Sequence, residues 1–162
     1  MALFYTRTSS ASTRGYAPPP FPIFLLKNIL GDIIVDIQHV GSTAIPTIKA
    51  KPIIDIAVGV TDFDRIMTHN EQLQQEGIFY RGSDVEHQLL YVMGDMEKDT
   101  RTHHIHVVKW NGTEWNNYIH FRDYLNANEN SALQQYQKLK EELESKYAGD
   151  RIAYTSGKQD MI

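Results

Sequence analysis

Hydrophobic residues change their spacing twice along the chain. From Pro22 to Leu30 they suit one side of a short helix, with proline in its first turn and Gly31 as its stop. Ile33 to His39 is a β-branched run broken by Asp36, and Pro52 to Val60 (PIIDIAVGV) is almost continuously apolar, so both predict strands and the second a buried one. Asp62 is a good N-cap for a helix reaching about Glu76, with Phe63, Ile66, Met67 and Leu73 on one face and Gly77 ending it. Ile78 to Arg81, Leu89 to Met93 and His104 to Lys109 predict three further strands. After Asn111-Gly112 a helical period takes over in TEWNNYIHFRDYLNAN, then in ENSALQQYQKLKEELESKYAG, before a short segment from Asp150. A sheet half is followed by a helical half, each too small to stand alone. The pattern therefore predicts an α+β fold with helices packed on one sheet and a C-terminal helical portion.

The first residues, MALFYTRTSSASTRGYAPPP, carry a Ser/Thr cluster and three prolines but no periodicity a core could use. Residues 1–21 read as an extended arm and residues 22–162 as a single domain. A transit segment is the rival reading, from Arg7, Arg14 and the absence of acidic residues, but no apolar signal core precedes the prolines.

Composition narrows the chemistry. The chain contains no cysteine, so disulfides, thiolate metal sites and cysteine nucleophiles are excluded, and any metal must be held by nitrogen and oxygen. A net charge of -4 makes nucleic acid an unlikely principal partner. The longest apolar run, Phe21 to Leu26, is far below the roughly 20 residues that span a bilayer, so no membrane partner is expected. Together with the missing cysteine and signal segment, this points to a cytoplasmic protein.

Three elements carry candidate chemistry. Gly41-Ser42, with Thr43 next to it, follows a strand and offers backbone N–H groups and hydroxyls to a phosphate; an ordinary turn stiffened by Pro46 is the bland alternative. Asp55 stands thirteen residues past Ser42 inside an otherwise apolar strand, where a carboxylate must be paired, liganded or protonated. In HHIHVV, residues 103–108, strand alternation puts His104 and His106 on one face about 7 Å apart, with His103 and Ile105 on the other. With Asp55 from a neighbouring strand they would supply two nitrogens and one carboxylate to a divalent ion such as Mg, Mn or Zn. Direct acid/base work and simple pairing with carboxylates at a sheet edge stay open beside that reading. His39, closing the strand before the turn, is a further candidate. Lys51, Arg122 and Lys140 are the cations best suited to a phosphate pocket, and Trp110, Trp115, Phe121 and Tyr124 read as core rather than as base-stacking platforms. A histidine-triad hydrolase would need a third alternate histidine, where this chain has Val108.

The stretch HVGSTAIPTIKAKPIIDIAVGV, residues 39–60, resembles the signature of the GrpB family. HHIHVV, FRDYL at 121–125, the Tyr136/Leu139-Lys140 spacing and DRIAYTSGK at 150–158 extend the resemblance over about residues 30–162. The family is similar to the nucleotidyltransferase superfamily, in which a Gly-Ser turn is followed by an acidic pair that holds two magnesium ions. The resemblance implies a nucleotidyltransferase-like mixed sheet and a nucleotide or phosphorylated small molecule as ligand, with nucleotidyl transfer to an acceptor as the activity. Gly41 and Ser42 match the turn and Asp55 the first acid, while the second acid's position is Ala57 and the arginine that often follows Tyr-Leu is Asn126. A single-metal phosphohydrolase built on Asp55, His104 and His106, or a non-catalytic nucleotide-binding module, are the alternatives the residues leave open.

Overall fold

The protein is described by a computed structural model that covers residues 20–46, 48, 50–83, 87–98, 100–128, 132–148, 150 and 153. Most of the expected arm, residues 1–19, lies outside the described residues, as do Thr47, Lys49 and nearly all of the segment after Asp150, Lys158 included. Pro20 and Phe21 are not part of an arm: they open the first helix, α1 (Pro20–Leu30).

The remaining elements are β1 (Ile34–Val40), β2 (Ile54–Val60), α2 (Phe63–Met67), α3 (Asn70–Gln75), β3 (Phe79–Tyr80), β4 (Gln88–Asp95), β5 (Thr100–Lys109), α4 (Thr113–Ala127) and α5 (Ala132–Lys146). All five strands form one sheet in the order β1-β2-β5-β4-β3. Only β2 and β5 run parallel; the other neighbours are antiparallel, so the sheet is mixed. Pro52, which has no N–H to donate, stays outside β2, and Ile53 N closes a tight turn on Lys51 O at 2.7 Å.

The helix expected from Asp62 to Glu76 is broken in two. Asp62 caps α2 as predicted, its Oδ1 accepting from Asp64 N and Arg65 N. One turn later Thr68 Oγ1 donates to Arg65 O at 2.7 Å, and His69 Nδ1 lies 2.9 Å from the same carbonyl. These side chains compete for a carbonyl of the helix's last turn, and the chain restarts as α3.

Period-2 alternation divides the sheet into two unlike faces. Ile54, Ile56, Val58 and Val60 of β2, Ile105 and Val107 of β5 and Tyr91 of β4 pack with Leu26 and Leu30 of α1, Ile66 of α2 and Leu73 of α3. Each such buried aliphatic side chain stabilises the fold by about 1.5–3 kcal/mol of transfer free energy. The opposite face is covered by α4, where Val40, Ala57 and Val108 meet Trp115, Tyr118 and Ile119. A Cβ at Gly59 would lie 2.7 Å from the Trp110 ring and 3.0 Å from that of Trp115, so the missing side chain admits the indoles. A third cluster joins Ile45 and Ile48 to Leu125 of α4 and Ala132, Leu133 and Tyr136 of α5, with Phe121 against it. Trp115 and Phe121 are thus core, whereas Tyr124 is 59% and Trp110 37% exposed, which corrects the expectation for those two. Among the described residues no helix is long and apolar enough to cross a membrane.

Candidate functional site

The one parallel pairing of the sheet assembles the site. Its register sets Asp55 beside His104 and Ala57 beside His106, and these side chains share the α4-covered face. Asp55 Oδ1 lies 3.2 Å from His104 Nδ1 and 3.4 Å from His106 Nε2. The three donor atoms all fall within 4.8 Å of one another. The side chains are 28%, 15% and 13% exposed, buried enough to be ordered and open enough to be reached. β5 lies inside the sheet, so both histidines pair with the Asp55 carboxylate there rather than at a sheet edge.

Electrostatics concentrate charge on Asp55. Burial pushes its carboxyl up, but hydrogen bonds from His104 and His106, and their charge, outweigh burial and hold it well below the ordinary carboxylate range. The far nitrogens, His104 Nε2 and His106 Nδ1, are buried without a partner among the described residues. Each imidazole therefore turns its useful nitrogen toward Asp55. Asp55, His104 and His106 each offer one ligand atom, a carboxylate oxygen and two imidazole nitrogens, that could hold a single divalent ion. Ala57, fully buried under α4, adds no oxygen.

Gly41 makes room for the carboxylate. Its φ of 70° and ψ of -170° belong to a region open essentially to glycine, and a Cβ there would sit 2.6 Å from Asp55 Oδ2. Backbone conformation and side-chain space thus both demand glycine. Ser42 starts the 3-10 turn that follows, and its Oγ lies 3.4 Å from the hydroxyl of Tyr136 on α5. Lys140, one turn further along α5, holds Nζ 5.8 Å from the centre of the Tyr136 ring. The turn and α5 therefore meet beside Asp55.

Other predicted members are spread more widely. His39 pairs with Ile56 across β1 and β2, which places it on the α1–α3 face rather than beside Asp55; its Nε2 is 2.9 Å from Thr43 Oγ1. Burial pushes its pKa down, with the Asp55 charge opposing and Arg122 reinforcing that shift. Arg122 does lie on the α4 side, donating from Nη1 to Gln38 Oε1 at 2.9 Å and His39 O at 3.0 Å, so it ties α4 to β1. Lys51 is 71% exposed and pairs with Glu144 of α5 at 3.6 Å.

Two tyrosines went unassigned in the sequence. Tyr118 packs its ring 5.0 Å from that of His106 and donates to Gln88 Oε1 at 2.9 Å, so it braces that imidazole. Tyr136 carried a signal in its spacing to Leu139-Lys140, without any hint that its hydroxyl would reach Ser42.

Comparison with known proteins agrees with this architecture. A family model described as GrpB protein matches residues 24–162. The chain is 41% identical over 141 residues to the glutamate-rich protein GrpB of Alkalihalophilus pseudofirmus, covering 85% of this chain and 80% of that protein. It is 33% identical to UPF0157 protein YqkA of Bacillus subtilis, again over 85% of this chain but only 39% of the relative's length. In three dimensions it is similar to the crystal structure of conserved protein GrpB from Enterococcus faecalis, with a TM-score of 0.74 at 26% identity over 87% of this chain and 88% of that one.

Proposed function

The chain belongs to the GrpB family, and from that premise we propose that it is a single-metal enzyme acting on a phosphorylated small molecule, with Asp55, His104 and His106 as metal ligands. The observation that carries this reading is the convergence of His104 Nδ1 and His106 Nε2 on one oxygen of Asp55, at 3.2 and 3.4 Å. When bound there, a manganese, zinc or iron ion supplies Lewis acidity toward a phosphoryl oxygen and lowers the pKa of water. The remaining work falls to the chain. Ser42 offers a hydroxyl from the turn that abuts the carboxylate, Arg122 and Lys140 add positive charge, and α4 and α5 keep bulk solvent from one side. Hydrolysis joins the water oxygen to phosphorus while the ester oxygen leaves with a proton.

Transfer of a nucleotidyl group to an acceptor hydroxyl is the second reading. It is favoured by the Gly41-Ser42 turn placed thirteen residues before Asp55 and differs from the first in the nucleophile. Two magnesium ions find too few oxygens here, because Ala57 replaces the second acid and hard cations prefer an all-oxygen shell.

Metal analysis of the purified, tag-free protein, followed by turnover of nucleoside triphosphates and p-nitrophenyl phosphate with and without an acceptor, tests both readings. One equivalent of a transition ion, lost in Asp55→Asn and His104→Ala, with metal-dependent release of product in the absence of acceptor, is the expected result. Full metal content in His104→Ala and His106→Ala, or full turnover in Asp55→Asn, would overturn the assignment.

A further inference from the structure

Gln88 is one of two polar side chains buried among the described residues, at 4% exposure. It opens β4 opposite Val108 of β5 and so lies on the α4-covered face, in line with Leu90 opposite His106 and Val92 opposite His104. A buried amide persists in a fold where its polar atoms are paired. Gln88 Oε1 accepts from the Tyr118 hydroxyl at 2.9 Å, which pins the middle of α4 to β4. Apolar contacts among Val40, Ala57, Val108 and Trp115 already seat α4 on the sheet, so the polar bond fixes something narrower: where the Tyr118 ring stands.

That ring lies over His106, with centroids 5.0 Å apart and planes 34° apart, a separation typical of offset ring pairs. On the sheet His106 is flanked by Ala57 of β2 and Leu90 of β4, and its Nε2 lies 3.4 Å from Asp55 Oδ1. An imidazole turning about its Cβ–Cγ bond sweeps through the space above its own face, and Tyr118 fills that space. A half-turn would put Cε1 where Nε2 stands and take the nitrogen away from Asp55. Histidines that hold a metal are usually oriented by an acceptor for their second nitrogen. His106 Nδ1 is buried without a partner among the described residues, so its orientation falls to ring packing. His104 is supported differently: among the described residues its ring neighbour is His106, edge-on at 6.2 Å and 78°.

We propose that Tyr118, aimed by its hydrogen bond to Gln88, is a positioning residue that locks the His106 ring with Nε2 toward Asp55. The lock is a property of the folded chain, and only its consequence for metal affinity rests on the single-metal reading. Gln88 on β4, Tyr118 on α4 and His106 on β5 then form one clamp across three elements. The clamp presets a donor atom before any ligand arrives, so binding does not have to freeze the ring. Tyr118 touches no reacting atom in this scheme; it acts through His106.

Ring nitrogen–proton correlation spectra of the metal-free protein test the lock, and titration with zinc and cobalt(II) tests its consequence. Wild type is expected to give one sharp ring pattern for His106. In Tyr118→Ala that pattern should broaden or double, while His103, on the opposite face, keeps its wild-type signals; a merely structural Tyr118 would lower the thermal midpoint without singling out His106. Tyr118→Phe keeps the ring and loses the bond to Gln88, so it should fall between wild type and Tyr118→Ala. Gln88→Leu should match Tyr118→Phe, and the double variant should be no worse than either, because both remove the same bond. Metal affinity is expected to fall about 10–100-fold in Tyr118→Ala, with an altered cobalt(II) visible spectrum, and by less in the other two variants. His106 signals identical to wild type in Tyr118→Ala would overturn the proposal; should that variant fold poorly, identical signals in Gln88→Leu would do the same. A loosened His106 ring with unchanged metal affinity would uphold the lock and overturn the metal reading.

Discussion

The two faces of the central strands are built from alternate residues of the same sequence, yet they follow opposite rules. On the α1–α3 face, Ile54, Ile56, Val58, Val60, Ile105 and Val107 make a continuous aliphatic core. One residue along in each strand, the other face carries Asp55 and His104 at one end, Ala57 beside His106 next, and Gly59 and Val108 toward the other end. The first face stabilises the sheet through burial of apolar area. The second places a charged cluster whose geometry depends on a sheet already held rigid from behind. A parallel pair serves this purpose because its register is fixed by the core face, and a one-residue slip would exchange the two faces entirely.

The largest effect that would break this division is Ile56→Ala on the core face. Ile56 is fully buried, and its truncation is expected to lower unfolding free energy by about 2–5 kcal/mol. Metal stoichiometry of the folded fraction should stay at the wild-type value, because Asp55 and His104 face away from the cavity. Denaturant unfolding together with metal analysis checks this. A metal-free but folded Ile56→Ala protein would mean that the faces are not independent.

A pair of glycine substitutions sharpens the comparison with a smaller effect. Gly41 and Gly31 both have positive φ, 70° and 49°, but a Cβ at Gly41 would strike Asp55 Oδ2, whereas one at Gly31 meets nothing within 4 Å. Alanine at either position is expected to cost about 1–3 kcal/mol in backbone strain. Only Gly41→Ala should also weaken metal binding, by about 10–100-fold, through displacement of a ligand. Equal metal affinities in the two variants would show that Gly41 serves only the turn.

Much of this was legible in the sequence, and for identifiable reasons. A carboxylate in an apolar strand and histidines at alternate positions are signals of period 2, and period 2 survives into the structure without modification. What periodicity cannot supply is which strands are neighbours: β2 meets β5 only after a crossover of about forty residues, so the Asp55–His104 contact was an expectation about topology. The face that His39 takes was not legible on the same ground, because its proximity to the turn in sequence says nothing about which side of β1 it occupies. The break at Thr68-His69 depends on side chains competing for Arg65 O, which the apolar pattern of the helix does not report. Tyr136 lies 94 residues from Ser42, and a hydroxyl contact between a turn and a distant helix leaves no local trace.

The smallest effect concerns a polar side chain on the core face. His103 alternates with Ile105 and Val107, is 9% exposed, and has Nδ1 3.0 Å from Thr102 Oγ1, while Nε2 has no partner among the described residues. Burial pushes its pKa down, aided by the charges of His104 and His39, so the folded state binds fewer protons than the unfolded chain as pH falls below about 6.5. The stabilisation is therefore complete above the unfolded pKa and lost as pH drops toward the folded one. His39, also depressed, acts in the same direction. Wild-type stability should decline on acidification by at most about 1.4 kcal/mol per pH unit for each such histidine. His103→Leu should reduce that slope, leave metal content unchanged, and at pH 7.5 shift stability by no more than about 1 kcal/mol, since the lost hydroxyl contact is offset by removing an unsatisfied nitrogen. Urea unfolding between pH 5 and 8 decides it. A slope identical to wild type would mean that His103 does not titrate with folding, and that the core face tolerates a polar group without coupling it to protons.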